Sequence, residues 1–146
     1  MKKNLLALIL LATASSVSAV DLTSSLPVHR SEVKAGDRVL EFQGTPVSIN
    51  ALAPDFKVAD ASFKPVKLSD FLGKTVLISV VPSLDTGVCS IQTKKFNEQV
   101  TSLPENVALL TISTDLPFAH KRFCQKEQVD NLLVFSDAVW GALRSH

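Results

Sequence analysis

Three runs of β-formers, TVLISVV at 75–81, NVALLTIS at 106–113 and NLLVFSD at 131–137, alternate with two segments that read as helices. An order of strand, helix, strand, helix, strand demands crossover connections, and so a partly parallel α/β sheet. The first run is continuously apolar with no alternation, which suits a strand buried on both faces. After it, Ile91, Phe96 and Val100 fall on one helical face, while Lys94, Lys95 and Glu98 face outward. Pro117 opens the second helix, which continues through FAHKRFCQKEQ.

Upstream the signals are weaker. RVLEFQGTPVSIN reads as a β-hairpin whose turn is Gln43-Gly44-Thr45-Pro46 and whose second arm is Val47 to Ile49. PDFKVADASFKPVKLSDFLGK adds a short strand, a turn and a brief helix, with Ser69 as N-cap and Gly73 as stop. Residues 20–36, polar with scattered Ser and Pro, read as a leader or linker, and 37–146 as one α/β domain. The last stretch, AVWGALRSH, starts as a helix and ends without a closing element. A C-terminally incomplete domain is therefore expected.

Residues 1–19 read as a secretory signal peptide. Lys2 and Lys3 precede the apolar run from Leu5 to Ala12, and Val17-Ser18-Ala19 supplies small residues for cleavage. The run is too short to span a bilayer. The expected location is outside the cytoplasm, in a bacterial periplasm. With 15 basic against 14 acidic residues, the chain lacks a charge reason to bind nucleic acid or anionic lipid. Six per cent aromatic residues offer no obvious platform for stacked bases.

The chain holds two cysteines, Cys89 and Cys124. In an oxidising compartment a pair usually forms a structural bridge, here one that would stabilise by roughly 3–4 kcal/mol on the entropic account. The surroundings of Cys89 argue for chemistry instead. In VVPSLDTGVCSIQTKKFNE a strand stops at Pro82 and a helix starts near Thr86 or Gly87. Cys89 thus sits in the first helical turn, where free N–H groups and the positive end of the dipole favour an anion. A thiolate is such an anion, and helix N-termini are among the settings that make cysteines nucleophilic. Thr86 is placed to offer its hydroxyl to the sulfur or to an oxygen approaching it, and Pro82 to shield one side of the pocket. Asp85 works against a thiolate unless it points outward or caps the helix.

Those residues carry a resemblance. PSLDTGVC resembles the active-site motif of the peroxiredoxins, and more narrowly of the thiol peroxidase group. LEFQGTPV is similar to that group's N-terminal hairpin, KKFNE to the residues following its cysteine, and STDLPFAHKRFC to its second-cysteine segment. The likeness covers most of Leu40 to Asp137. It implies a thioredoxin-like fold with an added N-terminal hairpin. It also implies an atypical 2-Cys mechanism in which Cys89 reduces hydrogen peroxide or an organic hydroperoxide and becomes a sulfenic acid. Cys124 would then resolve this to an intramolecular disulfide, Thr86 would hydrogen-bond the peroxide and Pro82 would shape the pocket. A thioredoxin or thioredoxin-like reductant, a homodimer, and no cofactor or metal follow from the same likeness. The family also has an active-site arginine on a later strand, and none of Arg30, Arg38, Arg122 and Arg144 matches that motif.

Two other readings stay open on sequence. One is a noncatalytic secreted domain stapled by its two cysteines. The other is a thiol–disulfide oxidoreductase, which the absence of Cys-x-x-Cys disfavours, since Ser90 follows Cys89. A metal site from His120, Cys124 and Cys89 would have three ligands at no recognised zinc spacing. His120 is expected to be a solvated helix residue, as are Lys94 and Lys95. Trp140 and the phenylalanines are expected to line the core or pocket, with Phe118 and Phe123 flanking the Cys124 segment.

Overall fold

A computed structural model describes residues 27–144; the signal-peptide reading at 1–19 and the first part of the leader lie outside these described residues. In chain order, β1 (Val28–Ala35) and β2 (Arg38–Gln43) form a two-stranded antiparallel ribbon. Then follow β3 (Lys57–Ala59), β4 (Pro65–Lys67), a 3-10 turn at Leu68–Phe71 and β5 (Thr75–Val81). Helix α1 (Gly87–Gln99) leads through a 3-10 turn to β6 (Val107–Ser113). Helix α2 (Pro117–Glu127), β7 (Leu133–Ser136) and a closing 3-10 turn at Ala142–Arg144 complete the described chain.

The main sheet has the order β4-β3-β7-β6-β5. Strands β5, β6 and β7 are parallel, as alternating strands and helices require, while β3 runs antiparallel to both β7 and β4. On one face Phe56, Val58, Ala108, Leu110, Ile112 and Phe135 form a buried cluster. On the other, Val81, Leu84, Leu109, Phe123, Val129 and Leu132 form a second. The alternation along β6 sends Ala108, Leu110 and Ile112 one way and Leu109 the other, so this strand feeds both cores. Both helices contribute to the second cluster.

Several expectations need correction. The first apolar run is not buried on both faces: β5 is the edge of the sheet, and Leu77 (51%), Ile78 (40%) and Val80 (65%) are exposed. Apolar composition makes it a strand, but burial depends on which strands lie beside it. The hairpin exists with a different partner. β2 pairs with β1 across Gly36-Asp37, not with Val47 to Ile49, so residues 28–35 of the supposed leader are a strand. The described side chains of β1 are almost all exposed, so no buried face imposes the period-2 pattern that would have marked it. Gly36, at φ 62°, supplies the left-handed backbone that the tight turn needs. Ser69 lies inside the first 3-10 turn and does not cap it; its amide and hydroxyl both bond to the Asp55 carboxylate. On α1, Ile91 is exposed and Thr93 is buried in its place. Phe96 and Val100 do pack on the core.

Candidate active site

The two cysteines pack against one and the same core cluster, the second. Cys89, from the first turn of α1, and Cys124, from the second half of α2, are both half-buried and both pack against it. Both are free thiols.

The approach to Cys89 is set by a short loop. Strand β5 ends at buried Val81, and Leu84 turns back into the core at 2% exposure. Thr86 is the N-cap position of α1, with extended backbone. Its hydroxyl does not cap the helix; it donates to the Ser83 carbonyl at 3.0 Å. The first intrahelical bond runs from the Ser90 amide to the Thr86 carbonyl at 2.9 Å. Amides ahead of Ser90 therefore belong to the open end of the helix, beside Cys89. Asp85 points into solvent, held by its own amide to the Ser83 hydroxyl at 3.1 Å. Pro82 is exposed, and its carbonyl accepts the Thr114 hydroxyl at 2.8 Å.

Cys124 lies in a different setting. Burial and the nearby Asp130 carboxylate raise its pKa above 9.0, so the thiol keeps its proton. Phe123 beside it is buried, as expected of a core residue, but Phe118 is exposed and meets Phe63 edge-on at 4.7 Å. Trp140 is partly exposed, with the Lys57 ammonium 4.3 Å above its ring. Lys94 is not simply solvated: it pairs with Glu127 at 2.9 Å and ties α1 to α2.

His120 contradicts its expectation most clearly. It is completely buried, at 0% exposure, and its Nε2 lies 2.7 Å from the Ser113 hydroxyl. That hydroxyl also donates to Asp115 Oδ2 at 2.8 Å, and the same carboxylate oxygen accepts the Leu84 amide at 2.7 Å. Burial lowers the His120 pKa below 6.5, with Asp115 opposing. Burial would raise the Asp115 pKa, but bonds from the Leu84 amide and the Ser83 and Ser113 hydroxyls outweigh it and hold the carboxyl below 3.8. Sequence reasoning missed Ser113, Asp115 and the role of His120. The cluster of Ser, Thr and Asp before Pro117 is the usual mark of a helix cap, but the cap position is Leu116. The side chains turn instead to a loop about thirty residues earlier in the chain, a separation of 31 between Asp115 and Leu84.

A cleft of about 370 Å³ lies between the start of α1 and α2, lined by Asp85, Gly87, Ser90, Arg122, Lys126 and Glu127 among others. Neither cysteine lines it. Among the described residues, no group of three or more His, Cys, Asp or Glu is placed to hold a metal ion.

The chain is 49% identical over 98 residues to a thiol peroxidase of Staphylococcus haemolyticus, covering 67% of this chain and 58% of that one. It is also 49% identical over 94 residues to a thiol peroxidase of Listeria monocytogenes, covering 64% and 56%. The chain thus spans 58% of the length of the first of these relatives. Among solved structures, a peroxiredoxin-like protein from Aquifex aeolicus superposes with TM-score 0.65 at 33% identity, covering 72% of this chain and 62% of that one. A thiol peroxidase from Chromobacterium violaceum matches with TM-score 0.64 at 19% identity, covering 75% and 64%, which speaks to the fold alone. The shared architecture is the thioredoxin-like fold of the peroxiredoxins. The profile of the AhpC/TSA family matches residues 49–141, across the whole five-stranded sheet and both cysteine-bearing helices, and the chain belongs to that family.

Proposed function

We propose that this protein is a thiol peroxidase that reduces hydrogen peroxide and organic hydroperoxides through Cys89 and Cys124. One observation carries the reading: two free cysteines from different helices pack on the same apolar cluster, one at an open helix start and the other protonated within a helix. The Cys89 thiolate attacks one peroxide oxygen, breaking the O–O bond. It forms Cys89–S–OH and expels RO⁻, which takes up a proton to leave as alcohol or water. Thr86 takes part as acceptor. With its hydroxyl hydrogen donated to Ser83, its oxygen has lone pairs for the peroxide O–H. Pro82 shapes the pocket, a role that rests on the family resemblance.

The Cys124 thiol then attacks the sulfenic sulfur, losing its proton and releasing water as the Cys89–Cys124 disulfide forms. A thioredoxin-like dithiol returns both to thiols and becomes a disulfide itself. Export to the periplasm and a homodimer belong to the same proposal, supported by the N-terminal sequence and by family resemblance respectively.

The test is the intact mass of the reduced chain, quenched seconds after one equivalent of hydroperoxide. Loss of two hydrogens, mapped to a Cys89–Cys124 bond, is the expected result. An unchanged mass with the peroxide unconsumed would overturn the assignment for this chain.

A further inference from the structure

We propose that Asp115 is a positioning residue that locks the loop before Cys89 to the helix that carries Cys124, with Ser113 and His120 as its relay. The inference rests on the peroxidase reading for its purpose, but its geometry is independent of it.

Asp115 stands between β6 and α2, in neither of the helices that carry the cysteines. Its Oδ2 accepts the Leu84 amide at 2.7 Å, fixing the middle of the loop that runs into the α1 N-cap. A second bond acts on the same loop from the same segment, since the Thr114 hydroxyl holds the Pro82 carbonyl. The Asp115 carbonyl is in turn bonded by the Ser136 hydroxyl, which anchors the segment to β7.

The link to α2 follows from proton counting. Ser113 has one hydroxyl hydrogen, and the Asp115 carboxylate takes it at 2.8 Å. His120 Nε2, 2.7 Å from the same oxygen, must therefore be the donor there. The histidine is then neutral with bare Nδ1. That agrees with Nδ1 being buried without a hydrogen-bond partner among the described residues, since a proton there would have no acceptor. The relay thus runs Leu84 amide, Asp115 carboxylate, Ser113 hydroxyl, His120 ring. Its two ends are the loop that positions Cys89 and the helix that carries Cys124. Leu84 itself lies in the core cluster against which both cysteines pack. Asp115 is thus the polar group that the loop before Cys89 and the helix of Cys124 share.

Alkylation tests this without any peroxide. The reduced 146-residue chain is treated with iodoacetamide, and modification of Cys89 and Cys124 is followed separately by peptide mass spectrometry. Asp115→Ala is expected to speed alkylation of both cysteines by about tenfold, the equivalent of one lost charge-assisted hydrogen bond. Asp115→Asn keeps an acceptor oxygen for the Leu84 amide and should restore both rates to within about threefold of native. Exchange of the Leu110 amide, deep in β6, reports global opening and should not rise by the same factor.

Rates within about twofold of native for both cysteines in Asp115→Ala would overturn the proposal, as would a change confined to one cysteine or no rescue by Asn. Should Asp115→Ala fail to fold, Ser113→Ala serves. It leaves the Leu84 bond intact and severs the relay, so Cys124 alone should become faster; equal behaviour of the two cysteines would refute the relay. A chain that shows this pattern but consumes no peroxide keeps the lock and loses the activity. One that consumes peroxide while alkylation is insensitive to Asp115 keeps the activity and loses the lock.

Discussion

The two helices begin in similar ways and present their cysteines in opposite ways. Each follows a parallel strand and a short loop, and each starts from an N-cap residue in extended backbone with no side-chain cap bond. Helix α1 carries Cys89 in its first turn, at the end where amides lack partners. Helix α2 carries Cys124 late, where burial and Asp130 keep the thiol protonated. The same functional group thus stands at an open helix end in one helix and in a packed environment favouring a neutral thiol in the other. Local chain geometry suffices to place the first. The second needs neighbours from elsewhere in the fold.

The comparison breaks most completely at Cys89. Cys89→Ser is expected to abolish peroxide consumption, and a variant retaining full turnover would show that the helix start is not the reactive end. Cys124→Ser should come next in size: one equivalent of peroxide consumed, then a stalled sulfenic acid that dimedone labels at Cys89. Continued cycling with a thioredoxin-type reductant would mean that α2 does not supply the resolving thiol.

A smaller effect concerns the buried histidine of α2. Its folded pKa lies below 6.5, so as pH falls through that value the unfolded chain takes up a proton that the folded one resists. Stability should be fully present above about pH 6.5 and decline below it, by at most about 1.4 kcal/mol for each pH unit from this one group. The Asp115 carboxyl, lowered from 3.8, acts in the same sense only in stronger acid. Urea unfolding from pH 7.5 to 5 should show the decline, and His120→Gln, which keeps a donor for Ser113, should flatten it. An unchanged slope in that variant would assign the decline to other groups. The smallest effect is expected from Lys94→Ala, which removes the partly buried bridge from α1 to Glu127 on α2. Its urea midpoint should stay close to native at physiological salt and drop measurably only at low ionic strength.

Much of this was legible in the residues. Pro117 announces the start of α2, and the strand–loop–helix around Pro82 to Cys89 is readable because proline, threonine and glycine act locally. The expected positions of β6, α2 and β7 agree with those observed, since long apolar or periodic runs carry strong local signals. What failed depended on distant partners. β1 was hidden because its side chains are almost all exposed and no buried face imposes alternation, and His120 looked like a solvated helix residue because nothing nearby in sequence reveals Ser113 beneath it.

Strands β5 and β6 show where the division falls. TVLISVV and VALLTIS are alike in composition and pair residue for residue, from Thr75 with Val107 to Val81 with Ser113. Sequence alone determined that both are strands, that helices join them in a parallel arrangement, and that Cys89 stands at a helix start. The tertiary structure decided that β6 is covered on both faces while β5 forms an exposed edge. It also decided that Asp115 reaches back to Leu84, and that two cysteines from different helices share one core. Propensity and capping act over a few residues, whereas burial and side-chain partnership are set by which distant segments pack together.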